Sequence, residues 1–231
     1  MMRRLILIET STSLCSTALV EDGKVVCERL SEEPRAHASM TAPYVSEMLK
    51  EKGLKVSDCD AVAVGKGPGS YTGLRVGVST AKGLCFGAGI PLISIGTLDT
   101  LAWQALDEGL VPEGCKYIIP MIDARRMEVY TGVFTPDCRQ ISPTVASVVT
   151  EDSFKEYLAE GPVLFIGDGA GKCKETINDP KAVFVQCCPK ASGMTRPATA
   201  ALDEGRFEDV AYFEPFYLKE FVTTVSKKKL F

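Results

Sequence analysis

Apolar positions along this chain come in two rhythms, short continuous runs and residues recurring every three or four positions. The first marks buried strands and the second amphipathic helices. The run over residues 3–9, with Leu5-Ile6-Leu7-Ile8 at its centre, predicts a buried strand ended by Thr and Ser. Cys15–Val20 and Lys24–Leu30 predict two more, joined by Glu21-Asp22-Gly23, and Asp-Gly between β-rich segments signals a hairpin. Met40, Tyr44 and Met48 at four-residue spacing, with Val45 and Leu49 alongside, predict a helix over about 39–52. Pro43 belongs to its first turn or kinks it, and Gly53 suits its C-terminal cap. A strand over Ala61–Gly65, a Gly/Pro/Ser loop over 65–72, a helix over about 73–88, a strand over Pro91–Ile95 and a helix over Thr97–Glu108 complete the first half.

The order then restarts. Tyr117–Asp123, Glu128–Phe134 and Ile141–Val149 read as strands, Asp152–Glu160 as a helix, Val163–Gly167 as a strand, 169–178 as a helix, Val183–Gln186 as a short strand and Gly193–Gly205 as a helix. Each half contains the order three strands, helix, strand, helix, repeated at the level of elements and not of residues. An α/β chain with a duplicated βββαβα order matches an actin-like fold of two lobes. Its expected division is an N-terminal lobe over 1–108, a C-terminal lobe over 109–212, and a C-terminal segment with a basic tail over 213–231. In that architecture a nucleotide or acyl-phosphate lies between the lobes. The turns facing it would be Glu9-Thr10-Ser11-Thr12 and Asp123-Ala124-Arg125-Arg126.

Composition narrows the function classes. Hydrophobic residues at 45% and charged residues at 24% of 231 positions exclude a disordered chain, a collagen and a coiled coil. Twenty-six basic against 30 acidic residues is the wrong balance for a free-standing nucleic-acid binder, so an RNA role needs a partner's charge. The most apolar stretch, Val76–Ile95, is interrupted by Lys82, Pro91 and several glycines, which makes it a poor membrane span. The apolar run before Glu9 is too short for a signal peptide. Nine cysteines, an odd number with no CxxC spacing, read as reduced thiols, so a cytoplasmic protein is expected.

Candidate chemistry is sparse. The single histidine, His37, leaves a His/Cys metal site or a Ser-His-Asp triad little to work with. No catalytic residue and no metal ligand is assigned, and His37 reads as a surface or capping residue. GKGPGSYTGLRVG over 65–77 is neither a Walker A loop nor GxGxxG. It has the context of an anion cradle, a Gly-rich turn between a strand and a helix N-terminus, or of a tight turn that needs glycine. GDGAG over 167–171 offers the same two readings. Thr10, Ser11, Gly167, Asp168 and Gly169 are therefore the candidate cofactor-binding residues.

The helix over 73–88 carries Gly73, Gly77, Gly83 and Gly87. Each interior glycine costs about 1 kcal/mol relative to alanine, so another backbone must approach closely. That neighbour is either the chain's own core or a helix of another subunit. The second reading makes Met40, Tyr44, Met48, Leu74, Gly77, Val78, Ala81 and Cys85 a partner interface. Lys227-Lys228-Lys229 reads as a solvated tail or an RNA contact.

Five segments together, ILIETSTSLCSTALV (6–20), AVAVGKGPGSYTGLRVGVSTAKGL (61–84), PLISIGTLDTLA (91–102), IDARRMEVYTGVF (122–134) and FEPFYLKE (213–220), closely resemble the TsaB family. This is a bacterial subunit of the tRNA threonylcarbamoyladenosine machinery, paralogous to the glycoprotease-like TsaD. The resemblance implies a two-lobed actin-like fold and a non-catalytic dimerisation subunit for TsaD, which transfers threonylcarbamoyl to an adenosine beside the anticodon. It also implies a TsaE-like ATPase as a further partner, tRNA reached only through the complex, and a homodimer when the chain is alone. No tightly bound cofactor is implied, and the complex interface is the place for any ATP or ADP. TsaD-like proteins carry two metal-binding histidines where this chain reads Ile95-Gly96-Thr97-Leu98-Asp99-Thr100. Glu9 departs from the family's usual Asp. The rival expectation is a stand-alone glycoprotease-like peptidase or ATPase, which the missing histidine pair disfavours.

Overall fold

Leu5 through Ile8 are consecutive apolar residues, and they serve two cores. On β1 (Arg4–Glu9), Ile6 and Ile8 enter one cluster while Leu5 and Leu7 enter another. Successive strand side chains point to opposite faces, so a strand buried on both belongs at a sheet centre. In the computed structural model, which describes residues 2–33 and 36–219, β1 is the middle strand of five. β2 (Cys15–Glu21) and β3 (Lys24–Ser31) form the expected antiparallel hairpin beside it, and Asp22 at its turn takes φ 46°. β4 (Ala61–Gly67) pairs parallel with β1, and β5 (Leu92–Gly96) pairs parallel with β4.

The second half repeats this layout. β6 (Tyr117–Asp123) is central, flanked antiparallel by β7 (Glu128–Thr131) and β8 (Val145–Val148) and parallel by β9 (Val163–Ile166) and β10 (Ala182–Val185). Ile119 and Met121 face one core, Ile118 and Ile122 the other. The duplicated α/β order is thus observed as two five-stranded mixed sheets of matching topology.

Some boundaries moved. α1 (Ala36–Glu51) starts three residues before its apolar spacing shows, with exposed Pro43 well inside it. α2 (Tyr71–Ala88) starts two residues early because Ser70 caps it, its hydroxyl accepting Gly73 N–H at 3.3 Å. The strand expected over Ile141–Val149 shortens to β8. Ahead of β9, α4 (Lys155–Glu160) follows a turn at 151–154. The helix expected over 169–178 is one turn, α5 (Ala170–Cys173), followed by a turn over 174–176. The Lys227–Lys229 tail lies outside the described residues.

The last helix of each half crosses to the other sheet. α3 (Thr97–Asp107) buries Leu98, Leu101, Ala102 and Ala105 against Ile118, Phe134, Leu164 and Ile166 of the second sheet. α6 (Thr195–Asp203), with the 3-10 turn Ala191–Met194, buries Met194, Ala198 and Ala201 against Leu5, Leu7 and Ile93 of the first. Order along the sequence therefore does not decide which sheet a helix covers. α1 and α2 cover the remaining face of the first sheet, and α4 and α5 that of the second.

Candidate functional site

The two sheets meet at a cleft of about 610 Å³. One wall is the β1–β2 turn (Ser11, Thr12, Ser13) together with the start of α2 and His37 of α1; the other includes Asp123, Ala124, Arg125 and Asp168. Both turns expected to face the cleft reach it.

Of the five candidate cofactor residues, two line the cleft and three support it. Ser11 is fully buried; its N–H donates to Glu9 Oε1 at 2.7 Å and its carbonyl accepts Ser70 N–H at 2.7 Å. Asp168 lies opposite, with Oδ1 accepting Asp123 N–H at 2.9 Å. Burial pushes the Asp168 carboxyl up to about 6. Thr10 turns away, its hydroxyl donating to Gly73 O at 2.8 Å inside the core. Gly167, at φ 135°, is packed so that a Cβ would fall 2.2 Å from Met121 O. Gly169 packs against Asp123 N and Val129. These two glycines seat a tight strand-to-helix turn under Asp168, the plainer of their two readings.

Glu9 is completely buried, and a Cβ on Gly65 would lie 2.3 Å from its Oε2. Burial raises its carboxyl above the ordinary carboxylate range. It does not line the cleft; its Oε1 accepts Ser11 N–H and its Oε2 has no hydrogen-bond partner among the described residues. Among the described residues, no group of three or more His, Cys, Asp or Glu side chains could hold a metal ion. Thr97 is fully buried with its hydroxyl unpaired. All nine cysteines are free thiols, and burial raises Cys187 to about 12, which makes it a poor nucleophile.

Two side chains at the cleft, His37 and Lys219, escaped the sequence reading, while Thr12 belongs to the turn expected to face it. His37 lines it from the first turn of α1, where capping was expected. Thr12 lines it beside Ser11, and Lys219 enters from the C-terminal strap. The strap is built from residues 213–219 of the FEPFYLKE stretch. Phe216 N–H donates to Lys66 O at 2.7 Å, Tyr217 stacks on Tyr71 at 4.2 Å, and Tyr71 hydroxyl donates to Lys219 O at 2.6 Å. Lys219 then pairs with Glu128 of the second lobe. Lys82 anchors the approach to the strap by donating to Ala211 O and Phe213 O.

The expected interface set requires correction. Met48, Leu74, Val78, Ala81 and Cys85 are at most 4% exposed and lie in or against the chain's own core, while Met40 and Tyr44 are only half-buried. Apolar spacing on α2 marks its inner face. Gly77 is buried too, where a Cβ would meet Thr10 Oγ1 at 2.2 Å. The outward face carries Thr72, Arg75, Ser79, Gly83 and Phe86, all exposed, with Gly87 alongside. Among the described residues, no atom would lie within 4 Å of a Cβ on Gly83 or Gly87.

Fold and cleft define a two-lobed actin-like α/β protein. The family model described as "TsaD: tRNA N6-adenosine threonylcarbamoyltransferase" matches residues 25–214. The tRNA threonylcarbamoyladenosine biosynthesis protein TsaB of Escherichia coli is 32% identical over 98% of this chain and 98% of its own. The Bacillus subtilis protein of the same name is 31% identical over 92% of each. The solved structure of YeaZ from Pseudomonas aeruginosa is similar at a TM-score of 0.81 and 28% identity, covering 94% of this chain and all of that one. The chain belongs to the TsaB family, within the wider TsaD-type group. No helix among the described residues is long and apolar enough to cross a membrane.

Proposed function

We infer that this chain is a non-catalytic scaffold subunit in tRNA threonylcarbamoyladenosine biosynthesis, docking on and activating a TsaD-like catalytic subunit. The relatives' names support the process. The observation that carries the docking role is the outward face of α2. Gly83 and Gly87 stand open while Phe86 is 85% exposed between them. An interior helix glycine forfeits about 1 kcal/mol of helix stability, and among the described residues no atom approaches Gly83 or Gly87. A large apolar ring beside two bare backbone positions suits a partner helix packed at close range. The docking surface is therefore this face, with Met40 and Tyr44 at its margin, in place of the buried stripe of α2. The TsaE-like ATPase joins the pair, tRNA is reached through the complex, and the chain alone pairs with itself through the same face. No cofactor is tightly held by the chain itself.

Sedimentation of the chain mixed with a TsaD-like catalytic chain tests this, with circular dichroism beside it. Phe86→Asp and Gly87→Trp should each abolish the complex while leaving the fold intact. Undiminished association in both variants would overturn the docking face. Metal-dependent threonylcarbamoyl transfer by the isolated chain would overturn the non-catalytic role.

A further inference from the structure

A second cavity, of about 430 Å³, shares no lining residue with the inter-lobe cleft. The strap contributes Phe216 to this one and Lys219 to the other. The end of β4 supplies Lys66, the first turn of α3 supplies Leu98 and Asp99, and the stretch before β8 supplies Gln140 and Pro143.

Among the described residues, Lys66 and Asp99 are the only charged groups lining it, one of each sign and both half-buried. Asp99 feels the charge of Lys66, yet its carboxylate does not come within 4.0 Å of the ammonium. Among the described residues, Lys66 Nζ has neither a hydrogen bond nor an ion pair, and the Asp99 carboxylate draws only on its own N–H. The place of Asp99 in the first turn of α3 suits the helix start. The missing side chain at Gly96 makes room for it, since a Cβ there would fall 2.2 Å from Asp99 Oδ2. Neither fact explains why an unpaired lysine faces the same space. Burial lifts the Asp99 carboxyl above its ordinary value, and Lys66 pulls it back. Half-buried charges without partners are costly, so two of opposite sign across one cavity point to a ligand that pairs both.

The rest of the wall fits such a ligand. Leu98, Pro143 and Phe216 are apolar. Gln140 Nε2 donates to Ser142 O at 2.8 Å and to Thr144 Oγ1 at 3.0 Å, which leaves the Gln140 carbonyl oxygen to accept. An apolar surround with a few convergent polar groups is the make-up of a small-molecule site.

We propose that this cavity binds a free α-amino acid, its carboxylate on Lys66, its ammonium between Asp99 and Gln140, and its side chain along Leu98 and Phe216. A simple anion would leave Asp99 unmatched, and a simple cation would leave Lys66 so. The site does not depend on the subunit role, since none of its residues lies on the outward glycine-bearing stretch at 83–87.

The full chain is titrated with glycine, L-valine, L-leucine and L-glutamine in turn, with saturation-transfer NMR of the added compound as the readout. At least one of the four should bind saturably at millimolar concentration. Its N-acetyl and amide derivatives, each short of one charge, should bind about tenfold or more weakly. Lys66→Gln and Asp99→Asn should each weaken binding of the free amino acid by the same factor, with circular dichroism unchanged. Absence of saturable binding by all four overturns the proposal, a result that needs no variant to fold. So does a derivative that binds as well as its parent, or unchanged affinity in both variants.

Discussion

Gly73 of α2 lies against the backbone carbonyl of Thr10, so closely that a Cβ at Gly73 would fall 2.0 Å from that oxygen. The contact joins the first turn of α2 to the end of β1, and Thr10 hydroxyl reinforces it by donating to Gly73 O. It divides the four glycines of α2 into two pairs with opposite expected behaviour. Gly73→Ala must push backbone against backbone and should cost about 2 kcal/mol or more. Gly83→Ala and Gly87→Ala enter open space and should each stabilise the isolated chain by about 0.5–1 kcal/mol. Urea unfolding of the three variants decides it, and equal signs for all three would dissolve the division.

The strap offers a second test. Tyr217 stacks on Tyr71 with rings 4° from parallel, and Arg75 Nε donates to Tyr217 hydroxyl at 3.3 Å. Tyr217→Ala removes the stack and the hydrogen bond together and should cost about 1–2 kcal/mol. Limited proteolysis should then cut within 210–219 faster than in the wild type. A cleavage pattern and melting temperature identical to wild type would show that Phe216 and Lys82 hold the segment unaided.

Much of the fold was legible because β1 and β6 are short apolar runs that only a doubly covered strand can bury, and because Asp22-Gly23 fixes a hairpin locally. The destinations of α3 and α6 were not legible. Leu98, Leu101 and Ala105 form an apolar stripe whichever sheet they meet. The stripe on α2 was misread for a related reason: Leu74, Val78, Ala81 and Cys85 look alike as core or interface, and the neighbour that explains Gly77, Thr10, is remote in sequence. At the cleft, Ser11 and Asp168 could be picked out from strand-to-turn positions. His37 could not, since a lone histidine carries no spacing, and only the fold brings α1's first turn beside Thr12.

The exchange of α3 and α6 makes each sheet's core depend on a helix from the other half, so the described body should unfold in one step. The single tryptophan, Trp103, sits on α3 with Arg196 of α6 over its ring at 5.6 Å, and its fluorescence reports the junction. Its urea transition should coincide with that of far-ultraviolet circular dichroism. Leu101→Ala, which empties a fully buried position of α3 packed against the second sheet, should cost about 2–5 kcal/mol and shift both probes equally. Two separated transitions would mean that the lobes unfold independently despite the exchange.

Asp168 should give the cleft a measurable pH signature. Its carboxyl titrates near 6 in the folded chain against an ordinary 3.8, chiefly because burial penalises the charged form. A carboxyl with a raised folded value binds its proton more tightly in the native state. Its contribution to stability is therefore favourable at acid pH and is lost as pH climbs through about 4 to 6. The loss amounts to about 3 kcal/mol at most, since each tenfold gain in proton affinity is worth about 1.4 kcal/mol. Asp168→Asn keeps an oxygen to accept Asp123 N–H but cannot ionise. Relative to this variant, the wild type should lose stability across that window and run parallel to it above about pH 7. Urea unfolding of both proteins at several pH values measures the difference. A wild type that instead gains on the variant as pH rises would show that Lys172, close by on α5, stabilises the Asp168 carboxylate more than burial penalises it.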